Sequence, residues 1–178
     1  MALNMNLGIN IMKFEKGDVV FFSNNNIISW LIEWGTNGQT SHVGIMITDE
    51  IMGEFVNPRY KERNIKDVIK DKNNHIFVGK LSKTNREIFK KNEYRFDELI
   101  KQSKNKEYDF PQLLTITLSQ FFTFIKFKKD TKKYFCSEFA TECFIVTNIL
   151  KDIIPSKISP DNLLDMFKNK EFGKVFIL

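Results

Sequence analysis

The sequence predicts a single domain of mixed α and β structure, and three observations predict it. A chain of 178 residues is the size of one domain, and 42% hydrophobic residues, with 18 phenylalanines, are ample for a core. Short apolar runs bounded by turn residues, at 19–22, 42–47 and 52–56, read as strands. Phe139, Cys143, Val146 and Leu150 recur at helical spacing, which places them on one face of a helix over 136–150.

The elements follow in order. Residues 1–13 read as a poorly ordered leader and 14–178 as the domain. Gly17-Asp18 is a turn signal feeding a short buried strand at 19–22. Asn24-Asn25-Asn26 ends that strand, and Ile27, Ile28, Leu31, Ile32 and Trp34 predict a short amphipathic helix over 27–34. A polar loop at 35–41 leads to the strand 42–47, which forms a hairpin with 52–56 across Thr48-Asp49-Glu50. After a charged connection, 77–81 reads as another strand. Ile88, Phe89, Phe96, Leu99 and Ile100 suit one surface helix over 84–103. The Phe-rich stretch 113–127 reads as a helix or helical hairpin ending in the basic run 126–133. Beyond the helix at 136–150, Pro155 and Pro160 punctuate the tail. Asp161 is placed to cap a helix over 162–168, and 175–177 closes as a strand.

Composition excludes several classes. The net charge of +5 is carried mainly by lysine, with only four arginines, Arg59, Arg63, Arg86 and Arg95. A diffuse lysine excess argues against nucleic acid as a partner, because bidentate phosphate recognition favours arginine. The N-terminal residues have no secretory pattern. The longest apolar stretch, 113–127, is too short and too polar for a span of about 20 residues. On one helix, Cys136 and Cys143 stand roughly 10 Å apart, too far for a disulfide. Two free thiols suit a reducing compartment, so a cytoplasmic location is expected. No close-spaced Cys/His group suggests zinc, and no Gly-rich phosphate loop suggests a nucleotide, so no metal or cofactor is expected.

The chemistry converges on few residues. Cys136 stands at the start of a helix, where unsatisfied backbone N–H groups favour a thiolate and can face a developing oxyanion. Cys143, two turns deeper on the apolar face, reads as core. His42 opens a strand, whereas His75 lies in the charged connection, so His42 is the better candidate for a base that takes the thiol proton. A base needs a partner on its second nitrogen. Hairpin pairing across Thr48 would bring Glu54 to His42, whereas a turn centred on Asp49-Glu50 would bring Asn57. Spacing leaves both open, since a one-residue slip reverses the answer.

Four runs, Lys16-Gly17-Asp18-Val19-Val20-Phe21-Phe22, Ser41-His42-Val43-Gly44-Ile45, Glu107-Tyr108-Asp109-Phe110 and Tyr134-Phe135-Cys136-Ser137-Glu138-Phe139, occur in this order. Together they resemble the YiiX-like branch of the NlpC-type, papain-like cysteine peptidases, in which the chain is circularly permuted and the histidine strand precedes the cysteine helix. The resemblance spans roughly residues 14–165. It implies an α+β fold with an antiparallel sheet packed on the cysteine helix, and a triad of Cys136, His42 and a polar third residue. It favours Glu54 over Asn57 in that place, and gives Asp18 and the Tyr108-Asp109-Phe110 turn structural roles.

The expected function is therefore that of a cysteine hydrolase, a peptidase, amidase or acyltransferase that attacks an amide or ester carbonyl. The alternative is an inactive binding module that keeps the fold. The stripe Phe121-Phe122-Thr123-Phe124 runs into a basic cluster just before Cys136. Such a stripe serves either as core or as an acyl-chain groove with membrane-surface contact. In the second case Phe121, Phe124 and Tyr134 line one side and Trp30 and Trp34 the other, and the substrate is a peptide or a lipid amide or ester.

Overall fold

The computed structural model describes residues 12–23, 39–56, 58–71, 75–108 and 133–178. Its strands are β1 (Val19–Ser23), β2 (His42–Met46), β3 (Ile51–Val56), β4 (Arg59–Asn64), β5 (His75–Leu81), β6 (Glu107–Tyr108), β7 (Lys133–Tyr134) and β8 (Gly173–Ile177). The helices are α1 (Ile65–Lys70), α2 (Lys83–Lys91), α3 (Glu93–Ser103), α4 (Cys136–Val146) and α5 (Pro160–Lys168), with a 3₁₀ turn at Pro155–Lys157. The strands form one sheet in the order β7-β6-β4-β3-β2-β1-β5-β8, antiparallel throughout except for the β6–β7 pair.

β1 lies inside the sheet between β2 and β5, and Val19, Val20, Phe21 and Phe22 are all buried. A strand covered on both faces reads as a continuous apolar run, which is why this element is legible from sequence. Alternate residues feed two cores. Val19, Phe21, Val43, Ile45 and Phe55 pack with Phe139, Ala140, Cys143 and Phe144 of α4 and with Leu163, Leu164 and Phe167 of α5. Val20, Phe22, Met46 and Met52 pack with Phe14, Ile65 and Val68 on the other face. Each fully buried side chain of this kind contributes about 1.5–3 kcal/mol. α4 lies against β2 and β3, and this seats the cysteine helix on the sheet.

The turn before β1 is fixed by charge. Gly17 adopts φ +86°, and a Cβ there would meet the Phe89 ring at 2.8 Å. Buried Asp18 accepts the Glu15 N–H at 2.9 Å and pairs with Lys80 at 3.3 Å and with Arg86. The expected structural role of Asp18 agrees with this setting.

Several elements differ from expectation. The single helix over 84–103 is two, α2 and α3, because the chain leaves helical geometry at Asn92, whose amide side chain bonds the Ile88 carbonyl at 3.0 Å. The cysteine helix stops at Val146, short of 150. Asn148 takes a left-handed φ of +62°, its N–H bonds Ile145 and the Ile149 N–H bonds Phe144. These two bonds are a Schellman end. Ser159, not Asp161, caps α5 through a capping box with Asn162, so α5 begins at Pro160. The polar connection before β5 holds β4 and α1, the latter capped by Asn64. β4 buries only Tyr60, so it carries no apolar alternation to betray it. The expected leader up to residue 11, the helix over 27–34 and the Phe-rich segment 113–127 lie outside the described residues.

Candidate active site

The hairpin register decides what His42 meets. Ile45 pairs with Gly53 and Met46 with Met52. Continued along the strands, Glu54 stands opposite Gly44, and His42 lies two residues away on the same face. The turn is thus centred on Asp49, between the two registers weighed from sequence, and Glu54 reaches His42 on the diagonal. The side-chain distance from His42 Nε2 to Glu54 Oε2 is 2.8 Å. Asn57, the other candidate partner, lies outside the described residues.

Neighbouring elements set the His42 ring. Phe22, its register partner on β1, meets the imidazole edge-on with centroids 4.8 Å apart. The Ser41 N–H bonds the Phe22 carbonyl at 3.3 Å. Asp161, at the start of α5, accepts the Gln39 N–H at 2.8 Å and the Thr40 N–H and Oγ1 at 3.2 Å each, all on Oδ1. The loop entering β2 is therefore tied to both the sheet and α5.

Cys136 is the first residue of α4 and is buried. No side chain caps the helix at Phe135, so the first-turn amides are not taken by a cap. Cys136 lies close enough to His42 to be the largest influence raising its pKa. With Nε2 engaged by Glu54, Nδ1 is the ring nitrogen left for sulfur. Cys143 is buried in the core, as expected, and burial pushes its thiol pKa well above the ordinary value.

The electrostatics of the cluster are coupled. Burial alone would lower the His42 pKa, but the charge and hydrogen bond of Cys136, then those of Glu54, push it up to about 10. Burial raises the Glu54 pKa, and the opposing pull of His42 and then Arg63 leaves it below the usual carboxylate value. Arg63 was not anticipated. Its Nη2 donates to Glu54 Oε2 at 3.2 Å, and its Nε pairs with Oε1. The alternation of Arg59, Lys61 and Arg63 along β4 is the signal that marks a basic face there, once β4 is recognised as a strand.

The other expected site residues are not brought together within the described structure. Trp30, Trp34, Phe121 and Phe124 lie outside it, and Tyr134 is described only by its place on β7.

No family model matches the chain, and no curated protein matches it. Among solved structures, it is similar to the crystal structure of metalloprotein YiiX from Escherichia coli O157:H7, DUF1105. The TM-score is 0.53 at 16% identity, over 93% of this chain and 89% of that one. The fold is YiiX-like. The likeness is consistent with the YiiX-like fold that the motifs imply. At this identity it is a likeness of fold alone.

YiiX is described as a metalloprotein, and the donor set here does not suit a metal ion. Among the described residues, no group of three or more His, Cys, Asp or Glu side chains is arranged to hold one. Both Glu54 oxygens already face a cationic guanidinium, which disfavours a second cation at the same carboxylate. Among the described residues no helix is long and apolar enough to cross a membrane.

Proposed function

We propose that this protein is a cysteine hydrolase with a permuted papain-like arrangement, in which Cys136 is the nucleophile, His42 the base and Glu54 the residue that orients His42. The observation that carries this reading is the 2.8 Å contact between His42 Nε2 and buried Glu54, which leaves the other face of the ring for Cys136 at an uncapped helix start.

In this mechanism His42 takes the proton from the Cys136 thiol, and sulfur bonds to the carbonyl carbon of an amide or ester. First-turn amides of α4 face the oxyanion that forms. Collapse breaks the C–N or C–O bond, and His42 gives its proton to the departing amine or alcohol. Water, deprotonated by His42, then attacks the thioester, releasing a carboxylic acid and regenerating the thiol. A second alcohol or amine in place of water makes the same steps an acyl transfer. Glu54 keeps the imidazole in one tautomer and stabilises the imidazolium. The aromatic and basic run 121–133 favours a peptide or a lipid-linked amide or ester as substrate, with contact at a membrane surface.

Alkylation by iodoacetamide across pH, resolved by mass spectrometry, tests the pair. Cys136 should react at least tenfold faster than Cys143 at neutral pH, and His42→Ala should remove the difference. Equal reactivity of the two thiols, or no effect of His42→Ala, would overturn the proposal in favour of an inactive module.

A further inference from the structure

Among the described residues, Arg63 is a strong polar partner of this cluster that the proposed mechanism leaves idle. Glu54 is fully buried and sits on β3 between the His42 imidazole on β2 and the Arg63 guanidinium on β4. Oε2 is shared, accepting from His42 Nε2 at 2.8 Å and from Arg63 Nη2 at 3.2 Å, while Oε1 faces Arg63 Nε. The guanidinium therefore meets both carboxylate oxygens, donating a charge-assisted hydrogen bond to Oε2 and forming an ion pair at Oε1. It also lies over the Phe22 ring at 5.9 Å, the same ring that meets His42 edge-on. The Arg63 side chain is 43% exposed, so it brings its charge to a buried oxygen without being fully desolvated itself.

We infer that Arg63 is a positioning residue that acts through Glu54: it holds the carboxylate ionised and oriented so that Glu54 accepts the His42 Nε2–H and leaves Nδ1 free to serve Cys136. The inference rests on the cysteine-hydrolase reading of the site. The physical need is specific. A carboxylate buried beside a neutral imidazole is costly without a cation, and it would take up a proton as the pH falls. Once protonated, it no longer requires a donor at Nε2, and the ring loses its fixed tautomer. Arg63 keeps a cation beside Glu54 throughout the reaction, including when His42 is uncharged after giving its proton to the leaving group.

The other groups facing Glu54 do not replace it. Tyr60 of β4 is neutral, its pKa raised by burial and by neighbouring acidic charge. Lys61 stands opposite Glu54 in the β3–β4 register, with an exposed position. Cys136 of α4 lies beyond His42 and has no positive charge to offer Glu54.

The test follows the pH dependence of Cys136 alkylation in the full chain for wild type, Arg63→Gln, Arg63→Lys, Glu54→Gln and the Glu54→Gln/Arg63→Gln double variant, with His42→Ala as reference. Removing a cation from a carboxylate shifts its titration by about 1–3 units. The acid limb of Arg63→Gln should therefore move to higher pH by about that amount. Arg63→Lys should restore part of the shift, since it keeps the charge and loses the fork. In the Glu54→Gln background, adding Arg63→Gln should leave the acid limb unmoved, because the titrating group is gone. A loss of thermal stability with an unmoved limb would mean a purely structural ion pair and overturn the inference. A shift of equal size in the Glu54→Gln background would also overturn it. If His42→Ala itself has no effect, the hydrolase reading fails first. If His42→Ala slows alkylation while Arg63→Gln matches wild type at every pH, the inference about Arg63 fails alone. Should Arg63→Gln not fold, Arg63→Lys against wild type still reads the limb, and an unchanged limb there together with an unchanged rate overturns the fork geometry.

Discussion

Glu54 Oε2 lies 2.8 Å from His42 Nε2 although the two residues are not cross-strand partners. Continuing the Ile45–Gly53 pairing by one residue places Gly44 opposite Glu54, and His42 lies on the diagonal. A Cβ at Gly44 would come within 2.5–2.9 Å of the Met52 side chain on the same face. The hairpin register places Glu54 and His42 on one face within hydrogen-bond distance.

That diagonal gives the first prediction, on the orienting residue. Glu54→Gln keeps an acceptor for Nε2 but loses the charge, and Glu54→Ala loses both. Cys136 alkylation at neutral pH should fall by roughly 10-fold in the first and by up to about 10²-fold in the second, the low end of the range of about 10²–10⁴ for the general base itself, since Glu54 acts through His42. Asn57→Ala should leave the rate within about twofold. Rates measured by mass spectrometry for the three variants decide between the two residues, and a larger loss in Asn57→Ala would reverse the assignment.

A second prediction concerns pH and stability. The folded pKa of His42 is raised, from 6.5 to about 10. In the folded state the imidazole therefore holds its proton over a window in which the unfolded chain has released it. Its contribution to stability is fully present below about 6.5 and is lost as the pH rises through about 10. The difference in thermal midpoint between wild type and His42→Asn should be largest at the acidic end of this window and shrink toward pH 10. Calorimetry at intervals of one pH unit checks this, and a difference that grows with pH would contradict it. Glu54 works in the opposite sense. Its folded pKa is lowered, so its contribution is present above the ordinary carboxylate pKa and is lost as the pH falls further. The His42 experiment is therefore best kept above pH 5.

Asp161 supplies a third. It gathers two backbone N–H groups and a hydroxyl from residues 39–40 on one oxygen, and those residues lead directly into His42. Asp161→Ala should cost about 1–3 kcal/mol by leaving these donors without their charged acceptor. It should also slow Cys136 alkylation by loosening the entry to β2, while Asp161→Asn, which retains an acceptor, should recover most of both. Denaturant unfolding paired with alkylation rates separates the two effects. A rate unchanged by Asp161→Ala would mean that the β2 pairing alone fixes His42.

Much of this protein is determined by its sequence because the signals are local. The continuous apolar run of β1, the hairpin of β2 and β3, and the helical spacing behind Cys136 each follow from hydrophobic period. The sequence also narrows the candidate pair to Cys136 and His42, since a chain with two cysteines and two histidines offers few other pairs. The core role of Cys143 follows from its place two turns along the same helix face. Tertiary structure decided what depends on register and on polar strands. β4 has no apolar alternation, so neither the strand nor Arg63 at its end could be placed before the sheet formed. Asp161 had the spacing of a helix cap, yet its carboxylate is used by a loop more than a hundred residues away, because Ser159 and Asn162 already satisfy the helix start. The partner of His42 is the clearest case. Hydrophobic alternation fixes which face a side chain takes, whereas the turn and the packing of both strands fix which residue lies beside it. Only the folded sheet therefore brings Glu54 to the imidazole.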